Sequence, residues 1–144
     1  MLSNLPRSIG ERELVRLRER LGWDARVFSI ESVDSAGPGN VVLVDVECEH
    51  VTEVFVGFGE KGVRAEAVAD RAADEVTAYL ATDVPVGPHL ADQLVLPLAL
   101  AGGGRFRTVA PTAHTRTQLA VVQRFLGTTL QLTPDGGAWR FRVG

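Results

Sequence analysis

Residues 64–81, RAEAVADRAADEVTAYLA, place Ala65, Val68, Ala69, Ala72, Val76, Tyr79 and Leu80 at helical spacing with acidic residues on the opposite face. That period predicts an amphipathic helix, and such a helix folds only against something that covers its apolar stripe. The chain before it carries the other period. Residues 26–31 (RVFSIE), 41–47 (VVLVDVE) and 52–58 (TEVFVGF) alternate apolar and polar positions, which predicts three strands, the first two separated by the turn-forming DSAGPGN. Ahead of them, Ser8 and Glu11 have the spacing of a capping box, Leu14, Leu17 and Leu21 share one face, and Gly22 closes the run, so a short helix is expected there.

Beyond TDVPVGP, the run HLADQLVLPLALA is too apolar for a surface helix and contains Pro97, which removes a backbone donor; a buried, bent helix is expected. Gly102, Gly103 and Gly104 stop it. The rest reads as a strand (RFRTVAP), a second amphipathic helix (HTRTQLAVVQRFLG) and a hairpin (TTLQLT, PDGG, AWRFRV). The order implies an α+β fold with helices layered on one face of a mixed or antiparallel sheet.

With 144 residues the chain suits one domain or two small ones. Its formal net charge of −3 gives no global positive field, so any contact with nucleic acid must be local. The single cysteine, Cys48, has no internal disulfide partner and reads as a buried strand thiol in a reducing compartment. The first residues lack the apolar core of a secretory signal, and no run reaches the roughly 18 apolar residues of a membrane span. A cytoplasmic protein with no membrane partner is the expectation.

Chemistry concentrates on three histidines. His50 lies between two strand segments, with nothing nearby to complete a metal site, and receives no role. His89 opens the apolar helix, with Asp92 and Gln93 one turn on; the three share the helix start, either as its polar cap or as contacts to a ligand. His114 sits where a strand gives way to a helix. The unpaired amides of a helix start attract an anion and favour a neutral imidazole, which suits phosphate chemistry. Arg105, Arg107 and Arg116 flank the junction; Arg105 and Arg107 share a strand face, where they either hold phosphates or form a solvated surface. The three glycines lack the Lys-Ser/Thr ending of a P-loop and follow a helix, which excludes that reading.

Residues 89–126, HLADQLVLPLALAGGGRFRTVAPTAHTRTQLAVVQRFLG, resemble the C-terminal signature of the RNA 3'-terminal phosphate cyclases, and GPGNVVLVDVE and FGEKGVRAEAVADRAADE resemble the part upstream of it. The resemblance implies a fold of βαβαββ repeats, with residues 1–62 in the family's small inserted α/β domain and residues 63–144 in the last repeat of its catalytic domain. It implies ATP-dependent conversion of an RNA 3'-phosphate to a 2',3'-cyclic phosphate. His114 matches the histidine that takes AMP from ATP, and His89, Leu90, Ala91, Asp92 and Gln93 match the segment lining the adenine-nucleotide pocket. Some relatives carry Tyr where His89 stands. ATP and a divalent ion, Mg²⁺ or similar, are the cofactors it implies, and RNA 3'-phosphate ends the partner. No dense carboxylate cluster marks protein ligands for the metal. Because the family chain is more than twice this length, a C-terminal fragment is expected, to be completed by a missing N-terminal half or a homo-oligomer. The alternative is a noncatalytic remnant that binds RNA or protein.

Overall fold

The structure, a computed structural model, describes Met1–Gly144. Four helices and two three-stranded antiparallel sheets make an α+β fold. Two compact units are present: Met1–Val46 with Val54–Ala81, and Glu47–Glu53 with Thr82–Gly144. The helix of residues 64–81 lies in the first unit, where its apolar stripe is buried against that unit's strands and helix.

In the first unit, strand β1 (Leu2–Ser3) pairs with β2 (Gly39–Glu47), and β2 with β3 (Thr52–Phe58). Helix α1 (Arg7–Leu21) and helix α2 (Ala65–Leu80) supply the other layer. Alternation puts Val42, Val44 and Val46 of β2 inward with Phe55 of β3, and they meet Leu17 of α1 and Val68, Ala69, Ala72, Ala73, Val76 and Tyr79 of α2. Small residues on α2 permit a close approach to the sheet. The exposed flanks of α1 and α2 carry a ladder of ion pairs: Arg12 to Glu66 at 2.6 Å, Arg16 to Asp70 at 2.8 Å, and Arg20 to Asp70 at 2.7 Å and to Asp74 at 2.5 Å.

Three expectations are corrected here. The capping box at Ser8 does not form: α1 starts at Arg7 behind Pro6, whose fixed φ of −59° and missing N–H suit a helix entry, and no side chain caps it. Residues 26–31 are not a strand. The Asp24 carboxylate accepts from the Arg26 amide at 2.9 Å and holds Ala25–Val27 in a 3₁₀ turn; Leu2 donates to the Glu31 carbonyl, and the sheet partner is β1. Cys48 is exposed, since β2 ends one residue before it and its amide bonds across the turn to Val51.

In the second unit, helix α3 (Pro88–Ala101), strand β4 (Gly104–Thr108), helix α4 (Ala113–Leu126), strand β5 (Leu130–Asp135) and strand β6 (Ala138–Val143) follow the expected order. The sheet runs β4-β6-β5, both pairs antiparallel. Gly136 and Gly137, at φ 60° and 89°, make the two-residue hairpin turn that only residues tolerant of positive φ at both positions allow. Phe106, Phe141, Val143, Leu130 and Leu132 point to the helices and meet Val95, Leu98 and Ala99 of α3 and Leu119 and Val122 of α4. The Phe106 and Phe141 rings stack at 4.7 Å.

Helix α3 is not buried all round, which corrects a further expectation. Ala91, Val95 and Ala99, four residues apart, form its buried stripe, while Leu96 and Leu100 are 42% and 67% exposed.

Candidate active site

Helix α4 begins with Thr112, whose hydroxyl oxygen accepts from the Thr115 amide at 3.0 Å, as an N-cap requires. Its second residue is His114. The cap fixes the first turn, and with it the two side chains at 114 and 115. From α3, Asp92 reaches both: one carboxylate oxygen lies 2.8 Å from His114 Nδ1, and the other accepts from the Thr115 hydroxyl. The Thr112 hydroxyl then donates to Thr115 Oγ1 at 2.9 Å, since the proton of Thr115 is already committed to Asp92.

This arrangement selects a tautomer. The carboxylate accepts a hydrogen bond from Nδ1–H, so the neutral ring carries its lone pair on Nε2, which has no hydrogen bond within the protein. The imidazole side chain is 75% exposed, whereas that of Asp92 is 20% exposed. An imidazole nitrogen with an open lone pair thus faces outward at the start of a helix, its ring oriented by a sheltered carboxylate. A helix start of this kind suits an anion.

The other residues of the HLADQ segment occupy different environments. His89 and Gln93 are exposed, Leu90 is partly buried, and Ala91 is buried in the stripe packed toward the core. Of the five, the structure joins only Asp92 to His114. His50 lies exposed in the turn after β2, its Nε2 3.7 Å from Glu49. No group of three or more His, Cys, Asp or Glu side chains is arranged to hold a metal ion.

Two features escape the sequence reading. Thr115, next to the histidine, completes the network around Asp92; a Thr three residues after the capping Thr is its only signal. The second is Glu53, which is 1% exposed. It occupies an inward position of β3, in phase with Phe55 and Gly57, and an acid in the apolar phase of an alternating run marks a buried charge. Its carboxylate accepts from the Gly87 amide at 2.5 Å, at the N-cap of α3, where no side chain of the helix provides a cap. Burial pushes Glu53 above the usual carboxylate range, offset in part by the Gly87 hydrogen bond and the nearby His89. A Cβ at residue 87 would stand 2.9 Å from a Glu53 oxygen, so a larger residue there would displace the carboxylate.

The family model described as "RNA 3'-terminal phosphate cyclase (RTC), insert domain" matches residues 1–81. An RNA 3'-terminal phosphate cyclase of Pseudomonas aeruginosa (strain UCBPP-PA14) is 40% identical over 145 residues, covering 99% of this chain and 42% of its own. One of Salmonella paratyphi C (strain RKS4594) is 45% identical over 138 residues, covering 95% of this chain and 40% of its own. The chain thus spans about two fifths of the length of these curated relatives. With more than half of its residues matched by the family model, and likeness to the curated cyclases along nearly all of it, the chain belongs to the RNA 3'-terminal phosphate cyclase family.

Proposed function

We propose that this chain is the nucleophile-bearing part of an RNA 3'-terminal phosphate cyclase. Residues 1–81 would supply inserted-domain structure, and the second unit would belong to the catalytic domain. The observation that carries the reading is the His114–Asp92 pair, with Nδ1 held at 2.8 Å and Nε2 open. In this reading Nε2 attacks the α-phosphorus of ATP, the bond to the bridging oxygen breaks, and pyrophosphate leaves with the electron pair. Asp92 holds the Nδ1 proton and balances the positive charge that the ring acquires. An oxygen of the RNA 3'-phosphate then displaces His114 from the adenylate. The neighbouring 2'-hydroxyl attacks the RNA phosphorus, loses its proton, and expels AMP to close the cyclic phosphate.

The first turn of α4 receives phosphate oxygens, and His89, Leu90, Ala91 and Gln93 are assigned to the adenine-nucleotide side together with Asp92. His89 and Gln93 have the exposure to touch a nucleotide; Ala91 contributes by packing the helix that carries them. No group of three or more His, Cys, Asp or Glu side chains of this chain would by itself hold the family's divalent ion.

Incubation with α-labelled ATP and a divalent metal is expected to give an acid-labile, base-stable adduct. His114→Ala is expected to lose it entirely, and equal labelling of that variant would remove the reading. The second reading is a noncatalytic module for RNA or protein. RNA binding by the wild type with no adduct would select it.

A further inference from the structure

The sheet of the second unit has an outer face, opposite the one that meets α3 and α4. Alternation places Arg105 and Arg107 of β4 on it, with Arg140 and Arg142 of β6 and Gln131, Thr133 and Asp135 of β5. The register sets Arg105 directly across from Arg142, next to Gln131, and Arg107 across from Arg140, next to Thr133. Two like-charge pairs therefore face each other across neighbouring strands, an arrangement that opposes folding. Compensation within the chain is incomplete. Asp135 alone serves two of the four, with Arg140 at 2.9 Å and Arg107 Nε at 3.2 Å, the latter too poorly aligned to hydrogen-bond, so that N–H is buried without an acceptor. Arg105 and Arg142 are exposed and take part in no ion pair.

The positive charge is local. Residues 82–144 contain six arginines, no lysine and three aspartates, within a chain of net charge −3, and four of those arginines lie on this one face. Guanidinium forks bind phosphate oxygens in pairs, which an ammonium does not. No aromatic side chain occupies this face; Phe106, Trp139 and Phe141 are all in the opposite phase, which removes the stacking platform used to read bases. The two arginine rows stand two residues apart along the strands, about 7 Å. They lead toward the end of β4, where Thr108 bridges to Val86 and Arg107 donates to the Asp83 carbonyl at 3.4 Å. That end of the strand continues through residues 109–112 into α4 and His114.

We infer that the outer face of the β4-β6-β5 sheet binds the phosphodiester backbone of single-stranded RNA, without regard to sequence, and holds the strand whose 3' end is the substrate. The inference rests on the cyclase reading for its choice of RNA over an acidic protein, and on charge complementarity for the surface itself.

The test is a titration of the chain with a 5'-labelled single-stranded RNA bearing a 3'-phosphate, at about 50 mM and 200 mM salt. If four phosphates are neutralised, the affinity is expected to fall about 50-fold between the two salts, and only about 7-fold for Arg105→Ala/Arg142→Ala. Arg105→Lys/Arg142→Lys is expected to keep most of the salt dependence while binding more weakly. Thermal melting checks the fold of each variant; loss of this one exposed like-charge pair is expected to leave the midpoint unchanged or raised. Unaltered affinity and salt slope in the alanine pair would overturn the inference, as would equal competition by polyglutamate at matched charge, which would assign the face to an acidic protein. The two readings fail separately. His114→Ala is expected to bind this RNA as the wild type does, and the alanine pair is expected to accept the AMP label, so a missing adduct counts against the nucleophile alone.

Discussion

In the proposed reaction Asp92 is the side chain on which the chemistry turns, because its two oxygens are both engaged, one with His114 and one with Thr115. Asp92→Asn offers an amide where a carboxylate stood. The ring then has no anion to hold its Nδ1 proton, and the rate of adduct formation is expected to fall by about 100-fold or more, measured by single-turnover labelling. Thr115→Val leaves the second oxygen unpaired and is expected to cost about 1–3 kcal/mol of stability, read by denaturant unfolding. Glu53 makes a different prediction. Burial raises it in the folded state, so the folded chain binds the proton more tightly than the unfolded one, and the ionised form costs stability at neutral pH. That cost is expected to disappear as pH falls through the raised value toward the ordinary range near 4.5. The stability difference between wild type and Glu53→Gln should therefore narrow over the same interval, and a difference independent of pH would show that Glu53 does not titrate as its burial requires.

At the scale of elements, the ladder between α1 and α2 gives the opposite dependence. The Arg12 guanidinium holds Glu66 down to about 2, and Arg16 and Arg20 hold Asp70 below its usual range. Their contribution is present above the unfolded carboxylate values near 4 and is lost as pH falls toward about 2. Being exposed, it is also screened. Acid unfolding of the first unit is thus expected to shift upward in pH when salt is raised, followed by circular dichroism. On the other sheet, Phe141 is 1% exposed and stacked on Phe106, and Phe141→Ala is expected to cost about 3–5 kcal/mol, which thermal melting would register as a large drop in midpoint. The elements that sequence alone reveals are those with long, strongly periodic stripes: α2, α4, the β5-β6 hairpin and β2-β3. The strand expected at residues 26–31 is absent because a local Asp24 side-chain bond outcompetes alternation, and β1 is too short to carry a period at all. The apolar run of α3 shows composition, not which side is covered, so its exposed leucines could not be told from its buried alanines. His114 and Asp92 are each visible in the sequence; that they meet is not, because 22 positions separate them and only the packing of α3 beside α4 closes the gap.

For the molecule as a whole, the polypeptide enters its second unit twice, once as Glu47–Glu53 and again from Thr82 onward. The matched family segment, residues 1–81, therefore carries Glu53 but not Gly87. Expressed alone, that segment is expected to keep the core formed by α1, α2 and the β2-β3 pair while Glu53 returns to an ordinary titration, observable by carboxyl-carbon NMR across the acid range. The four-arginine face lies wholly in the other unit, so the isolated segment is expected to lack the salt-sensitive RNA affinity proposed for that face. Asp92 imposes a last constraint, on how such a protein can diverge. In the proposed reaction a single carboxylate both sets the reactivity of the imidazole and fastens one helix start to another, so no substitution at position 92 can retune that chemistry while sparing the scaffold. New substrate preferences must instead be acquired at neighbours that do only one of these jobs, such as the exposed positions 89 and 93.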